Sequence, residues 1–546
     1  MPGFPVGIFC LIAQSAVISS VIPASRPAKM RFVSLPIEIL RTRPRTIFWL
    51  AVTAQALIWL LVPALFYAAP PGDLPELLVR ARHFDSLALH TPPLAYWLAD
   101  IAFLFGGMFG VYALSQACIV LTLWAVFSLG CATLGERHAA LATLLMTGVY
   151  FLTVPTPAFS PAILAAPIWA LALLQLWRVT TEDRDSDWRA LAASLVLLLL
   201  TTYLASLLIA LVALFIAQNP KLRESLNRRG PAAAVTILGV MLIPHLFWLV
   251  AGDGIGLAHP SDLRAAGLIG VNLAAFARIA GLLLLGHAGL AIMIAIAVAG
   301  PHRRQAQSVS IAREATNDAA SFFIWFFALT PGLTLAIAAV LAGYAGPMDF
   351  APVIVLSGLA CMLAAGPVVT LHRQHASILV WFVFLLAPPL FAIMTTFLLL
   401  PWSAARDLRI TWPAPEMGRF FTENFERRAG RKLSLVTGDS ALAAIVAAGA
   451  ASRPVMLPFN ENAPPVSASE TVREKGALVV WRARDDKGLP PPDIVARFPG
   501  LIPEVPQTFM RRVEGRLPPL RLGWAVIRPQ PHPTPQAQTA PEAKPR

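Results

Sequence analysis

What most limits this chain is a series of apolar runs, repeated between residues 47 and 400, each long enough to cross a bilayer. Runs of about 18 or more apolar residues must be solvated by lipid. In lipid every backbone N–H and C=O has to bond within its own segment, so these runs are expected to be helices. Composition agrees: of 546 residues, 57% are hydrophobic and 13% charged, against roughly 25% charged in an ordinary soluble domain. The expected fold class is a polytopic α-helical membrane protein followed by a C-terminal extramembrane α/β domain. The 43 Lys and Arg against 30 Asp and Glu give a net charge of +13. They fall mostly between apolar runs rather than on one basic face, which points to loops facing anionic lipid and away from nucleic acid. Cys10, Cys118, Cys131 and Cys361 all lie in apolar stretches, so neither a disulfide framework nor a thiolate metal site is indicated.

Residues 1–46 form a basic segment (Arg26, Lys29, Arg31, Arg41, Arg43, Arg45) expected to stay in the cytoplasm. Its first apolar stretch lacks the basic start and the cleavage site of a signal peptide, and Met30 is an alternative start. The spans read as 47–69, 111–134, 139–155, 160–177, 190–203, 204–217, 231–251, 277–299, 320–343, 350–370 and 376–400, about eleven in all. Residues 190–217 are too long for one upright helix and read as a hairpin turning near Thr201, Thr202 and Tyr203. With this count Arg137, Arg184, Arg228, Arg303 and Arg373 fall inside, while Arg80, Arg82, Arg264 and Arg278 fall outside, so charge and span count agree. Two outer segments, 70–110 and 252–276, are too long to be turns. The first carries Leu94, Tyr96 and Trp97 and suits short helices at the membrane interface.

After Pro401 the composition becomes that of a soluble domain, 401–528. Helices are expected at 416–428, 440–448, 469–475 and 493–498, and strands at 432–437, 455–459, 477–482, 507–513 and 521–528. This alternation argues for a small α/β layer. It has no glycine-rich phosphate loop; Asp439 or Ser440 reads as a helix N-cap. Residues 529–546, rich in Pro, Gln and Ala, are expected to be disordered.

Outward acidic residues concentrate in the two long loops: Asp73, Glu76, Asp85 and Asp100 in the first, Asp253 and Asp262 in the second. From Gly72 to Trp97 the chain runs from an Asp just after a span, through a short amphipathic helix with Arg80 and Arg82, to His90, Thr91, Pro92, Pro93, Leu94, Ala95, Tyr96 and Trp97. Proline cannot continue a helix but is tolerated in a first turn, so a new helix should start at Pro93.

That segment resembles the first outer loop of the GT-C polyprenyl-phosphate-sugar-dependent glycosyltransferases, of the family-39-like and aminoarabinose-transferase-like type. Phe159, Ser160 and Pro161, with Trp169 downstream, resemble the family's fourth span, and Pro244, His245, Trp248 and Leu249 its Pro-His-x-x-Trp-Leu signature. The similarity runs over about 45–400. It implies transfer of a sugar from a polyprenyl-phosphate carrier to an envelope glycan, lipid or protein acceptor, on the periplasmic face of an inner membrane. Asp73 stands at the family's catalytic Asp, with Glu76, Pro92, Pro93, Tyr96 and Trp97 in support. Such a reaction needs a carboxylate to take the acceptor proton as the anomeric carbon becomes oxocarbenium-like. The departing lipid phosphate needs cationic donors; Arg80, Arg82, His90, His259 and Tyr203 are the candidates. No cofactor is assigned beyond a possible divalent metal at His90 and His259. His245, inside a span, reads as a packing or hydrogen-bonded residue.

The chain departs from the family at Leu74, where Glu is common, at Ala162, where a second Asp is usual, and at Thr202, where Lys is usual. Thr91 also shifts the His-Pro-Pro register. An alternative reading follows: a non-catalytic relative that binds a lipid carrier or partner in envelope glycan assembly. A transporter is disfavoured because the spans carry few ionisable residues and no inverted repeat.

Overall fold

The computed structural model describes residues 35–82, 92–251, 268–298, 309–314, 316–342, 350–371, 373–404, 407–457, 470–483, 485, 487–513 and 515–529. His90, His259, the acidic residues 85, 253 and 262, and the tail from 530 lie outside them. In the membrane part the helices are α1 (Leu35–Thr42), α2 (Pro44–Phe66), α3 (Leu74–Ala81), α4 (Leu94–Leu134), α5 (Glu136–Leu145), α6 (Pro161–Glu182), α7 (Asp185–Leu199) and α8 (Ala205–Gln218). They continue as α9 (Pro220–Ser225), α10 (Arg229–Ala251), α11 (Leu268–Val298), α12 (Asp318–Ala342), α13 (Ala351–Ile354), α14 (Ser357–Ala364) and α15 (Gln374–Met394). Among the described residues, seven helices are long and apolar enough to cross a membrane: α2, α4, α6, α10, α11, α12 and α15 with its π-helical continuation.

The other expected spans take shorter forms, each for a local reason. α7 and α8 are separate helices broken at residues 200–204, where a hairpin turn is expected. Asp183, just before α7, and Arg228, beyond α8, pair at 2.9 Å, so the chain returns to the level it left. Each leg, at about 1.5 Å per residue, is too short for a hydrocarbon core of about 30 Å. The stretch 139–155 is not one helix: α5 stops at Leu145 and gives way to two 3₁₀ turns (Met146–Gly148 and Tyr150–Leu152). Pro155, Pro157 and Pro161 follow closely, and each lacks the N–H that a helix interior needs. The stretch 350–370 likewise breaks into α13, α14 and strand β2 (Val368–Leu371), which pairs antiparallel with β1 (Val309–Ala312).

Irregular backbone at membrane depth must find partners inside the protein, and α2 and α4 supply them. Gln55 Nε2 donates to Leu152 O at 2.7 Å, Ser115 Oγ donates to Thr156 O, and Gln116 Nε2 donates to Thr156 Oγ1 at 3.1 Å. All three side chains are buried. α4 itself is two helices merged across Gly107, whose φ of 56° and ψ of −145° suit only glycine. The first part, before Gly107, exposes Trp97, Ile101, Leu104 and Phe105, as an interfacial helix would.

The C-terminal domain follows the sequence reading closely. Its helices are α16 (Ala414–Ala429), α17 (Ser440–Gly449), α18 (Glu470–Lys475) and α19 (Pro492–Arg497). Its strands are β3 (Leu435–Gly438), β4 (Val455–Met456), β5 (Ala477–Arg482), β6 (Gln507–Phe509) and β7 (Leu520–Ile527), in the order β4-β3-β5-β7-β6. β3 runs parallel to β4 and β5, whereas β5–β7 and β7–β6 are antiparallel. Alternation on the strands builds two cores: Leu478, Val480, Leu522 and Trp524 pack with α16 and α17, while Val479, Trp481 and Ala525 pack with Val472, Ile494 and Phe498. Asp439 caps α17, its Oδ1 accepting from Leu442 N at 3.1 Å.

The first of these cores also contains Ala69 and Val79 from the segment after α2, so the domain sits directly on α3. Arg512 fixes the junction further, Nη2 donating to Leu65 O at 2.7 Å at the end of α2. At the other end of α2, Arg45 pairs with Glu136 at 2.6 Å.

Candidate active site

α3, a helix of eight residues, carries Glu76 and Arg80, with Asp73 at its N-cap. Its apolar face, Leu74, Leu77 and Leu78, enters the core of the membrane domain, and Val79 enters that of the C-terminal domain. Asp73, Glu76 and Arg80 are left to face a cavity of about 450 Å³. Gly72 makes the approach possible: its φ is 59°, and a Cβ there would stand 3.2 Å from the Cβ of Ala158. Asp73 sits at the N-cap of α3 without using its side chain as a cap, so the carboxylate is free of the bond an aspartate usually makes there. Arg80 lies 3.9 Å from Glu76, one turn away.

The rest of the wall comes from three places: Tyr96 on α4; the irregular segment with Phe151, Leu152, Pro155, Ala158 and Phe159; and Phe350, Ala351 and Ile354 at α13. Phe151 and Phe350 stack at 3.5 Å. The N-terminus of α6 also opens onto the cavity through Ser160, Pro161, Ala162 and Ile163. Ser160 caps it, its Oγ accepting from Ile163 N at 3.4 Å. With Ala162 in that first turn, no carboxylate opposes the positive end of the helix, which together with Arg80 gives this side an anion-attracting character. The cavity therefore joins a free carboxylate, a guanidinium and a helix N-terminus beside an apolar wall.

Of the residues singled out in the sequence, the structure brings Asp73, Glu76, Arg80 and Tyr96 together around this space. Arg82 is placed elsewhere. Two positions along a helix correspond to about 200° of rotation, so Arg80 and Arg82 cannot face one site. Arg82 Nη1 instead donates to Ala447 O of the C-terminal domain at 3.0 Å, and its guanidinium stands 5.5 Å from the ring centre of Phe103. Burial, and next the like charge of Arg453, pull its pKa down to about 10, with Asp100 opposing; it stays charged at neutral pH.

Pro92 and Pro93 are buried and begin α4, with Pro93 at the N-cap, as the proline rule requires. Leu94 N donates to Leu200 O at 2.8 Å, so this start rests on the α7–α8 turn. Tyr203 lies in that turn and does not itself line the cavity; its carbonyl stands 3.3 Å from His245 Nε2, whose Nδ1 is 3.0 Å from Leu199 O. His245 thus ties the turn to α10. Trp97 is 46% exposed, because it points about 100° away from Tyr96 on the helix. Thr202 is buried in the turn, whereas Leu74 and Ala162 both line the cavity. His90 and His259 lie outside the described residues, and among those described no three His, Cys, Asp or Glu side chains gather as a metal site. The walls from 151–159 and 350–354 were not anticipated from sequence. Their signal was the polar set Gln55, Ser115 and Gln116 inside apolar runs, which marks irregular backbone nearby.

Residues 90–248 match the family described as dolichyl-phosphate-mannose-protein mannosyltransferase. No curated protein matches the chain in sequence. Among solved structures, ArnT from Cupriavidus metallidurans bound to undecaprenyl phosphate superposes with a TM-score of 0.54 at 11% identity, covering 87% of this chain and 97% of that one. Its apo state gives 0.53 at 12% identity with the same coverage. The chain thus has the GT-C fold seen in ArnT, and within it residues 90–248 carry the match to the mannosyltransferase family.

Proposed function

We propose that this protein is an integral-membrane glycosyltransferase that moves a sugar from a polyprenyl-phosphate carrier to an envelope acceptor, a glycan, lipid or protein, at the periplasmic face of an inner membrane. The observation that carries the proposal is the convergence of Asp73, Glu76, Arg80 and the α6 N-terminus on one cavity. The likeness to ArnT, solved with undecaprenyl phosphate, supports the carrier class.

In the proposed reaction the acceptor oxygen attacks the anomeric carbon while the bond from that carbon to the phosphate oxygen breaks. Asp73 takes the acceptor's proton, and the lipid phosphate leaves with the electron pair. Arg80 and the α6 N-terminus hold the phosphate, since charge-assisted bonds are roughly twice as strong as neutral ones. Glu76 orients Arg80. Tyr96 and the aromatic wall exclude water from the oxocarbenium-like centre, which would otherwise be hydrolysed.

The test supplies purified protein in lipid nanodiscs with labelled polyprenyl-phosphate sugars and candidate acceptors. Transfer from at least one donor is expected. The methyl of Ala162 at the cavity, where relatives carry a carboxylate, favours a second reading: a non-catalytic relative that binds the lipid carrier. Binding of polyprenyl phosphate without transfer from any donor would select it.

A further inference from the structure

The end of α17 and the loop after it bring two polar contacts to the membrane domain, and both reach helices that build the cavity. Ala447 O accepts from Arg82 at the end of α3. Arg453, six residues later, forms an ion pair with Asp100 on the first part of α4, and its guanidinium stands 5.5 Å from the ring centre of Phe103. Asp100 lies four residues after the cavity residue Tyr96, so the two share a helix face with Phe103.

Arg453 has a φ of 52°, one of two described non-glycine residues in the left-handed region. Glycine adopts that conformation without strain, so the arginine is accounted for by what its side chain does, and that is to reach across the junction. The pair is partly exposed, with side-chain accessibilities of 30% and 25%, and such pairs add little to global stability. What it can fix is geometry.

We propose that Arg453 is a positioning residue, which latches the C-terminal domain onto Asp100 and Phe103. It thereby holds α3 and the start of α4, the sources of Asp73, Glu76, Arg80 and Tyr96, in their working arrangement. The proposal rests on the reading of the cavity as the transfer site. Arg453 itself does not line the cavity and acts through the two helices. Displacing a general base by about 1 Å can cost up to 10²-fold in rate, whereas charge attraction between Arg80 and a phosphate falls off slowly with distance. Losing the latch should therefore lower kcat more than it raises the donor KM.

The experiment compares full-length wild type, Arg453→Gly, Asp100→Asn and the double variant in nanodiscs, by hydrogen exchange and by sugar transfer. Arg453→Gly also relieves the backbone strain, so the domain stays folded. Exchange in residues 74–81 and 94–103 should quicken by about 10-fold in each variant, with no further gain in the double, while β5 and β7 stay protected. kcat should fall about 10-fold with a smaller change in KM, and Arg453→Lys should restore part of both. Unchanged exchange in 74–81, or equal quickening in β5 and β7, overturns the latch. If wild type transfers no sugar, the transfer reading fails while the exchange measurements still decide the latch.

Discussion

Arg80 and Arg82 show what two residues of separation mean on a helix. Both are basic, both follow Asp73 closely, and composition alone gives them the same role; the 3.6-residue turn sends one to the cavity and the other to the C-terminal domain. Helical phase over 73–81 sets Asp73, Glu76 and Arg80 apart as one face. If Arg80 holds a phosphate that is present in both ground and transition states, Arg80→Gln should raise the donor KM about 10-fold and leave kcat within about threefold. Steady-state kinetics over a donor titration check this, and a fall in kcat at unchanged KM would count against the assignment. The adjacent Arg82→Gln should leave donor KM unchanged, because its guanidinium has no access to the cavity.

At the scale of elements, sequence reading succeeds where one local rule dominates and fails where tertiary partners decide. The strands of the C-terminal domain were legible because apolar residues alternate and turns are marked by glycine and proline; β5 matches its expected bounds residue for residue. The helix start after Pro92 and Pro93 was legible from proline chemistry. The stretch 139–155 was not, because its hydropathy suits a span while three prolines and the side chains of α2 and α4 favour irregular turns. β1 and β2 were missed for the same reason: four-residue strands leave little periodic signal, and their pairing joins segments far apart in sequence. The irregular segment offers a test through Ser115, which is buried and donates to Thr156 O. Ser115→Ala changes almost no volume but leaves that carbonyl unpaired, and should cost about 1 kcal/mol. The thermal unfolding midpoint in detergent reports it, and because Thr156 lies between the cavity-lining residues Pro155 and Ala158, donor affinity should weaken too. A midpoint equal to wild type would mean that the segment holds its shape without this bond.

For the whole molecule, the structure gives two distinct ends. β1, just before α12, pairs with β2, just before α15, so both segments lie at the same end, and α13 and α14 form the return path between them. α15 then runs to the opposite end, where the C-terminal domain packs on α3. Reporter fusions after Gly300 and after Pro401 should therefore report opposite sides of the membrane, with the second outside by the lysine and arginine asymmetry. The same side for both would break this topology. The fold class and the two-part organisation were legible from hydropathy and charge; the cavity was not, because it forms from 72–80, 96, 151–163 and 350–354, which only packing brings together.

Sugar transfer at this site depends most on Asp73, whose carboxylate faces that cavity without a capping bond. The decisive measurement is single-turnover transfer of labelled sugar from its polyprenyl phosphate by wild type and by Asp73→Asn, with donor binding followed in parallel. With Asp73 as general base, the variant should bind donor as wild type does and transfer roughly 10² to 10⁴ times more slowly. Transfer at the wild-type rate by Asp73→Asn would contradict that role.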